Sequence, residues 1–182
     1  MSNLYSYMLQ SRNKDNKHIP NFKQRIKSIL SYEENEDYVR SEFANFVKQG
    51  LPGEVCRLYK SVNSRNEEKI REDLIIRLMQ DKTSLTRLNA TLTSVSRLSK
   101  NRDSNMWLFD FDENDENLVL EFISDIYDTD KTINIEHQKT PNGYAVVCSH
   151  GFDTRNLMHK WINYDITLKR DDMLFIDICV NE

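Results

Sequence analysis

Glycine and proline are scarce, at 4 and 3 among 182 residues, and neither repeats nor low-complexity tracts interrupt the chain. Long disordered linkers are therefore not expected, because such segments are rich in these residues. Cysteine is scarce too: Cys56, Cys148 and Cys179 are odd in number, far apart and outside any Cys-x-x-Cys spacing. That excludes a disulfide framework and a cysteine-zinc site, and fits a reducing compartment. No apolar run approaches the roughly 20 residues that cross a bilayer. The start, Met1-Ser2-Asn3-Leu4-Tyr5, has no charged-then-apolar layout of a secretory signal. The expected location is the cytoplasm, with no membrane partner.

Charge is abundant and unevenly placed. Residues 1–105 carry 19 Lys+Arg against 13 Asp+Glu, a net of +6, and residues 106–182 carry 6 against 16, a net of -10. A basic half suits phosphate backbones or an acidic protein. An acidic half suits cations, or the chain's own basic half.

The hydrophobic pattern divides the chain into three expected parts. In 1–54, Phe22, Ile26, Ile29 and Leu30 share one helical face, and Tyr38, Val39, Phe43, Phe46 and Val47 share another, which predicts a helical N-terminal region. In 55–105, Val55 to Val62 alternates as a strand does, and Ser64-Arg65-Asn66-Glu67 has the form of a capping box that opens a helix. A further helix carries Leu85, Leu88, Leu92, Val95 and Leu98. In 106–182 the spacing predicts strand 106–112, helix 115–126, strand 132–138, a turn at Pro141-Asn142-Gly143, strand 144–148, helix 153–162 and strand 173–178, with a short strand at 165–168. The expected class is α+β: a split β-α-β-β-α-β sheet of RNA-recognition or ferredoxin-like type, with both helices on one face.

Three features carry potential chemistry. Asp110 and Asp112 alternate with Phe109 and Phe111 on a predicted strand, so both carboxylates leave from one side. Paired carboxylates suit a hard cation, magnesium or manganese, and Asp177 near the end of the last strand is a candidate third ligand. The plainer account is an acidic strand end running into a helix cap, where acids are favourable. His150, after the second hairpin strand, is a candidate acid, base or phosphate contact, against an exposed loop histidine without a role. Lys60 and Arg65, in a basic stretch over 57–102 that is otherwise a solvated face, and Arg155 are candidate phosphate contacts.

Trp107-Leu108-Phe109-Asp110-Phe111-Asp112 resembles the first motif of the archaeo-eukaryotic primase superfamily, hydrophobic residues followed by Asp-x-Asp. Cys148-Ser149-His150 resembles its second, and Ile176-Asp177 its third. The resemblance, to a small or degenerate phage-encoded member, covers about residues 55–182. It implies a nucleotidyltransferase acting on nucleotides and single-stranded nucleic acid, with two metal ions held by Asp110, Asp112 and Asp177 and His150 on the incoming phosphates. A second register puts the histidine position within Gly143-Tyr144-Ala145, where alanine would remove it and leave a degenerate site. Two non-catalytic alternatives remain: a nucleic-acid module that stacks bases on Phe109, Phe111 and Tyr144, and a protein-interaction factor.

Overall fold

The computed structural model describes residues 2–80 and 84–182. The chain is α+β, with two antiparallel four-stranded sheets and five α-helices among the described residues. It separates into two compact units, Met1–Ser104 with Phe175–Glu182, and Asn105–Leu174. No helix of the described residues is long and apolar enough to cross a membrane.

The first unit opens with strands β1 (Leu4–Ser11) and β2 (Arg25–Tyr32), paired antiparallel with Leu4 opposite Tyr32 and Ser11 opposite Arg25. This corrects the expected helix around residues 22–30 and the all-helical N-terminal region. The apolar spacing of Phe22, Ile26, Ile29 and Leu30 fits a helix, but helices pack on both faces of this sheet. Leu9, Ile29, Cys56 and Leu58 cluster with α1 (Glu36–Lys48), while Leu4 clusters with Ile70 and Val95, joined by Leu30, Tyr32 and Leu92. A strand apolar on both faces loses its period of two. The link before β2 contains Asn21, at φ 57°, a left-handed turn that asparagine tolerates better than other side chains.

β3 (Val55–Ser61) pairs with β1, so the expected boundary at residue 54 runs through one sheet. The helix after it, α2 (Glu67–Met79), starts on Asn66: its side-chain oxygen accepts from the Lys69 amide at 3.0 Å. Ser64 is therefore not the cap, and Glu67 does not turn back; its carboxylate accepts from Tyr32 and Arg71. A short helix, α3 (Leu88–Ser96), follows. The last strand, β8 (Met173–Val180), completes this first sheet in the order β2-β1-β3-β8.

The second unit contains β4 (Trp107–Phe111), α4 (Glu116–Thr129), β5 (Ile135–Thr140), β6 (Gly143–Cys148), α5 (Arg155–Lys160) and β7 (Ile166–Lys169). Its sheet order is β5-β6-β4-β7, every pair antiparallel. The strand at 173–178, expected as the final strand of this sheet, lies in the other one; the short strand at 166–169 takes the place beside β4. Phe109 and Phe111 pack edge-on against Phe122 of α4, Phe122 and Trp161 meet at 5.4 Å, and Val146, Cys148 and Leu157 complete the core.

The β5–β6 hairpin turns through Pro141 and Asn142, with Thr140 opposite Gly143. The Asn-Gly pair was expected to act through positive φ, yet among the described residues only Asn21 and Gly53 adopt it. Gly143 is needed for a different reason: a Cβ there would collide with the Phe111 carbonyl and the Glu113 backbone.

Candidate functional site

β4 carries Asp110, and Asp112 follows its last residue. The alternation of strand side chains puts Phe109 and Phe111 fully into the helix-facing core and leaves Asp110 on the other side, a third exposed. Asp110 lies between Ala145 of β6 and Thr167 of β7. Two residues past Thr167 on the same face, Lys169 donates its ammonium to Asp110 Oδ2 at 2.7 Å and stands 3.6 Å from Asp172. Burial disfavours the Lys169 charge, but the two carboxylates outweigh it and lift the lysine above its ordinary range. Asp112 is exposed beyond the end of β4, where its amide donates to the Asp165 carbonyl at 3.0 Å. Asp115 caps α4 by accepting from the Asn117 amide at 2.9 Å, so part of the acidic run serves as a helix start.

Asp177 belongs to β8 of the first unit. It accepts from the Ile178 amide at 2.8 Å and lies 3.7 Å from Arg40. Among the described residues, no three His, Cys, Asp or Glu side chains come together in a group able to hold a metal ion. With one carboxylate of the pair held by an ammonium and the expected third acid on another sheet, the donor set does not fit the magnesium or manganese pair that the primase resemblance implies.

His150 sits beyond the opposite end of the strand pair. Asp110 is level with Ala145, whereas Cys148, two residues before His150, is level with Trp107. That separates the levels by three residues, roughly 10 Å at about 3.3 Å per residue, before the loop to the imidazole begins. Both ring nitrogens are engaged: Nδ1 is 3.1 Å from Ser149 Oγ, and Nε2 is 3.3 Å from Asp130 Oδ2. Ser149 Oγ also accepts from the Asn134 amide, so its proton is free to donate to Nδ1, and Nε2–H then donates to Asp130. The Thr132 hydroxyl and amide, and then His150, hold the Asp130 carboxyl below its usual range. The imidazole ties the α4–β5 link to the end of β6.

The expected phosphate contacts are dispersed. Lys60 bonds Glu33 at 2.7 Å and covers the Tyr5 ring. Arg65 is buried, and its amide donates to the Leu4 carbonyl. Arg155, in the second unit, clamps Asp153 and holds that carboxyl down to about 2. The expectation of bases stacking on Phe109, Phe111 and Tyr144 is overturned, since all three rings are buried in the core of their own unit.

Lys169 and Asp130 went unread in the sequence as partners of the expected site. Their roles follow from strand pairing, which brings together residues dozens of positions apart. The first unit has a cleft of about 450 Å³ between the β1–β2 end, α2 and α3. A second, of about 430 Å³, is lined by Ser28, Ala90, Thr93, Ser94, Arg97 and Leu98.

No family model, curated protein or solved structure matches this chain.

Proposed function

We propose that the chain is a non-catalytic binder of single-stranded nucleic acid, a reduced relative of the primase-like core. The observation that carries this is the surroundings of Asp110: its carboxylate is bound by Lys169, and the residue directly across the sheet is Ala145. In the register where Gly143-Tyr144-Ala145 takes the second motif, alanine stands where the family has its histidine. An aspartate neutralised by an ammonium is a poor ligand for a divalent ion, because metal entry must first break a charge-assisted bond. The second unit is read here as a split β-α-β-β-α-β fold, supported by the order β5-β6-β4-β7 with β4 and β6 central.

Binding is assigned to the first unit. It carries 19 Lys+Arg against 15 Asp+Glu, a net of +4, while the second unit carries 6 against 14, a net of -8. The hydroxyl-lined cleft with Arg97 suits a phosphate held by one guanidinium and neighbouring hydroxyl groups. A protein partner is the second reading, favoured by Ile75, Ile76 and Met79 on one side of α2, where Met79 is 80% exposed.

The test has two arms. Anisotropy of a labelled single-stranded oligonucleotide is expected to show binding that is unchanged by chelator and weakened by moderate salt. Incorporation of labelled nucleotide on a single-stranded template with manganese is expected to give no product from either the native chain or Asp110→Ala. Manganese-dependent product that disappears in Asp110→Ala would overturn the non-catalytic reading. A stable stoichiometric protein complex without oligonucleotide affinity would replace nucleic acid with a protein partner.

A further inference from the structure

β1 and β2 pair along their whole lengths, from Leu4 opposite Tyr32 to Ser11 opposite Arg25, yet the 13 residues 12–24 join them. A hairpin turn needs only about 2–5 residues, and connections longer than about 12 without elements of their own are usually functional or disordered. This one is tied down. The Asn16 side chain is fully enclosed: its amide donates to Ser11 Oγ at 3.1 Å and to the Arg12 and Val55 carbonyls at 3.0 Å, and its oxygen accepts from the Val55 amide at 2.6 Å. His18 Nε2 lies 2.9 Å from the Gly53 carbonyl. These bonds to β1 and to the approach of β3 fix the loop before any ligand arrives, which lowers the ordering cost of binding.

The charge of the loop is one-sided. Residues 12–27 carry 6 Lys+Arg against 1 Asp+Glu, a net of +5, whereas the rest of the first unit carries 13 against 14. All of that unit's positive surplus is therefore concentrated here. Part of it is neutralised: Arg25 is paired with Glu54, and Lys27 with Glu42. Asp15, the acid of the loop, is shared by Arg12 and Arg57, so two guanidiniums on one carboxylate leave one positive charge over. Lys14, Lys17 and Lys23 are exposed and bond no other described residue. Glu182 is drawn toward the loop by its neighbour Asn181, whose carbonyl accepts from the Gly53 amide, and it offsets one of these charges. Three positive charges remain uncompensated.

A fixed cationic surplus of this kind attracts a polyanion. Between the lysines stand the exposed amides of Asn13, Asn21 and Gln24, side chains that suit phosphate and sugar oxygens. The loop leads directly into β2, and Ser28, which lines the Arg97 cleft, lies three residues past Arg25, roughly 10 Å at about 3.3 Å per residue. We infer that the β1–β2 loop holds the sugar–phosphate backbone of a single strand on Lys14, Lys17 and Lys23, with the Arg97 cleft as its continuation. This rests on the nucleic-acid reading and adds to it the surface and the mode of contact, which is with phosphates and carries no preference for sequence.

Anisotropy of a labelled single-stranded oligonucleotide, titrated with the full chain at several salt concentrations, tests it. Each phosphate contact contributes about 0.7 to the slope of log affinity against log salt. The combined variant Lys14→Gln, Lys17→Gln, Lys23→Gln is expected to have a slope shallower by about 2 and to bind about tenfold more weakly at low salt. A control with the same change of charge at other exposed lysines, Lys48→Gln, Lys69→Gln, Lys131→Gln, is expected to stay within about twofold of the native chain. Circular dichroism shows whether each variant is folded, and the three single loop variants, each shallower by about 0.7, keep the test decisive if the combined one is not. If the oligonucleotide binds the native chain and the loop variant does no worse than the control, the loop assignment falls and the nucleic-acid reading stands. If the native chain ignores the oligonucleotide, both fall, and vesicles of phosphatidylserine and phosphatidylcholine show whether the same lysines instead meet lipid headgroups.

Discussion

Glu54 shows how one buried acid organises its surroundings. It is almost wholly enclosed, yet Arg25 donates to it through Nε at 2.8 Å and through Nη2, and the Leu51 amide donates at 2.7 Å. Burial pushes this carboxyl up, but those donors together pull it below its ordinary range. Glu54→Gln leaves the guanidinium without its counter-charge, at a cost of about 2–3 kcal/mol once the part-exposed Arg25 is allowed for. Urea denaturation of the native chain and the variant reads this directly; a change under 0.5 kcal/mol would make the pair incidental. The cysteines give a second expectation. Burial pushes Cys148 up to about 12, and burial with the nearby Glu54 pushes Cys56 up to about 11, while Cys179 is exposed. In native conditions a maleimide should label one thiol per chain, located by mass spectrometry at Cys179, and three after denaturation.

Helical spacing was legible where one face alone is buried. α4 keeps Val119, Phe122 and Ile126 inward with Leu118 and Ile123 packed beside them, so its spacing identified it. β2 could not be read this way, because helices cover both sides of its sheet. Residues 4–11 alternate weakly for the same reason and suggested no element. β7 was expected as a short strand at 165–168 and lies at Ile166–Lys169, but its place beside β4 depends on pairing rather than pattern. The hairpin turn was found from Pro141-Asn142-Gly143, but for a conformation it does not adopt. Gly143→Ala should therefore destabilise by about 1–3 kcal/mol through backbone collision, as overpacking does. Asn142→Ala should cost far less, because Asn142 does not take positive φ. Thermal unfolding of the two variants distinguishes them, and equal losses would contradict the collision account.

For the whole molecule, the net charge of -4 hides buried and half-buried acids that are ionised in the fold. Burial raises Asp15, but the hydrogen bonds from Arg12 and Arg57 prevail and lower it; Asp125 is likewise raised by burial and lowered by Lys160 and Trp161. With Glu54, these carboxyls have folded values below their unfolded ones. Their stabilisation is complete above the unfolded carboxylate range, near pH 4, and is lost as pH falls through the lower folded values. Chemical denaturation midpoints should hold level from pH 7 to about 5 and decline below about 4; a midpoint that rises on acidification would reverse the sign of this linkage.

The order of residues was enough to establish the α+β class, the charge asymmetry, the acidic strand and the cap on α4, because each depends on neighbours within a turn or a strand. Which sheet receives β8, what stands across from Asp110, and whether distant acids meet were decided only by folding. A sheet joins residues by hydrogen bonds between strands far apart in the chain, and pairing of that kind leaves no local period. So Lys169 reaches Asp110 across 59 positions, while Asp177 lies on a strand of the other sheet.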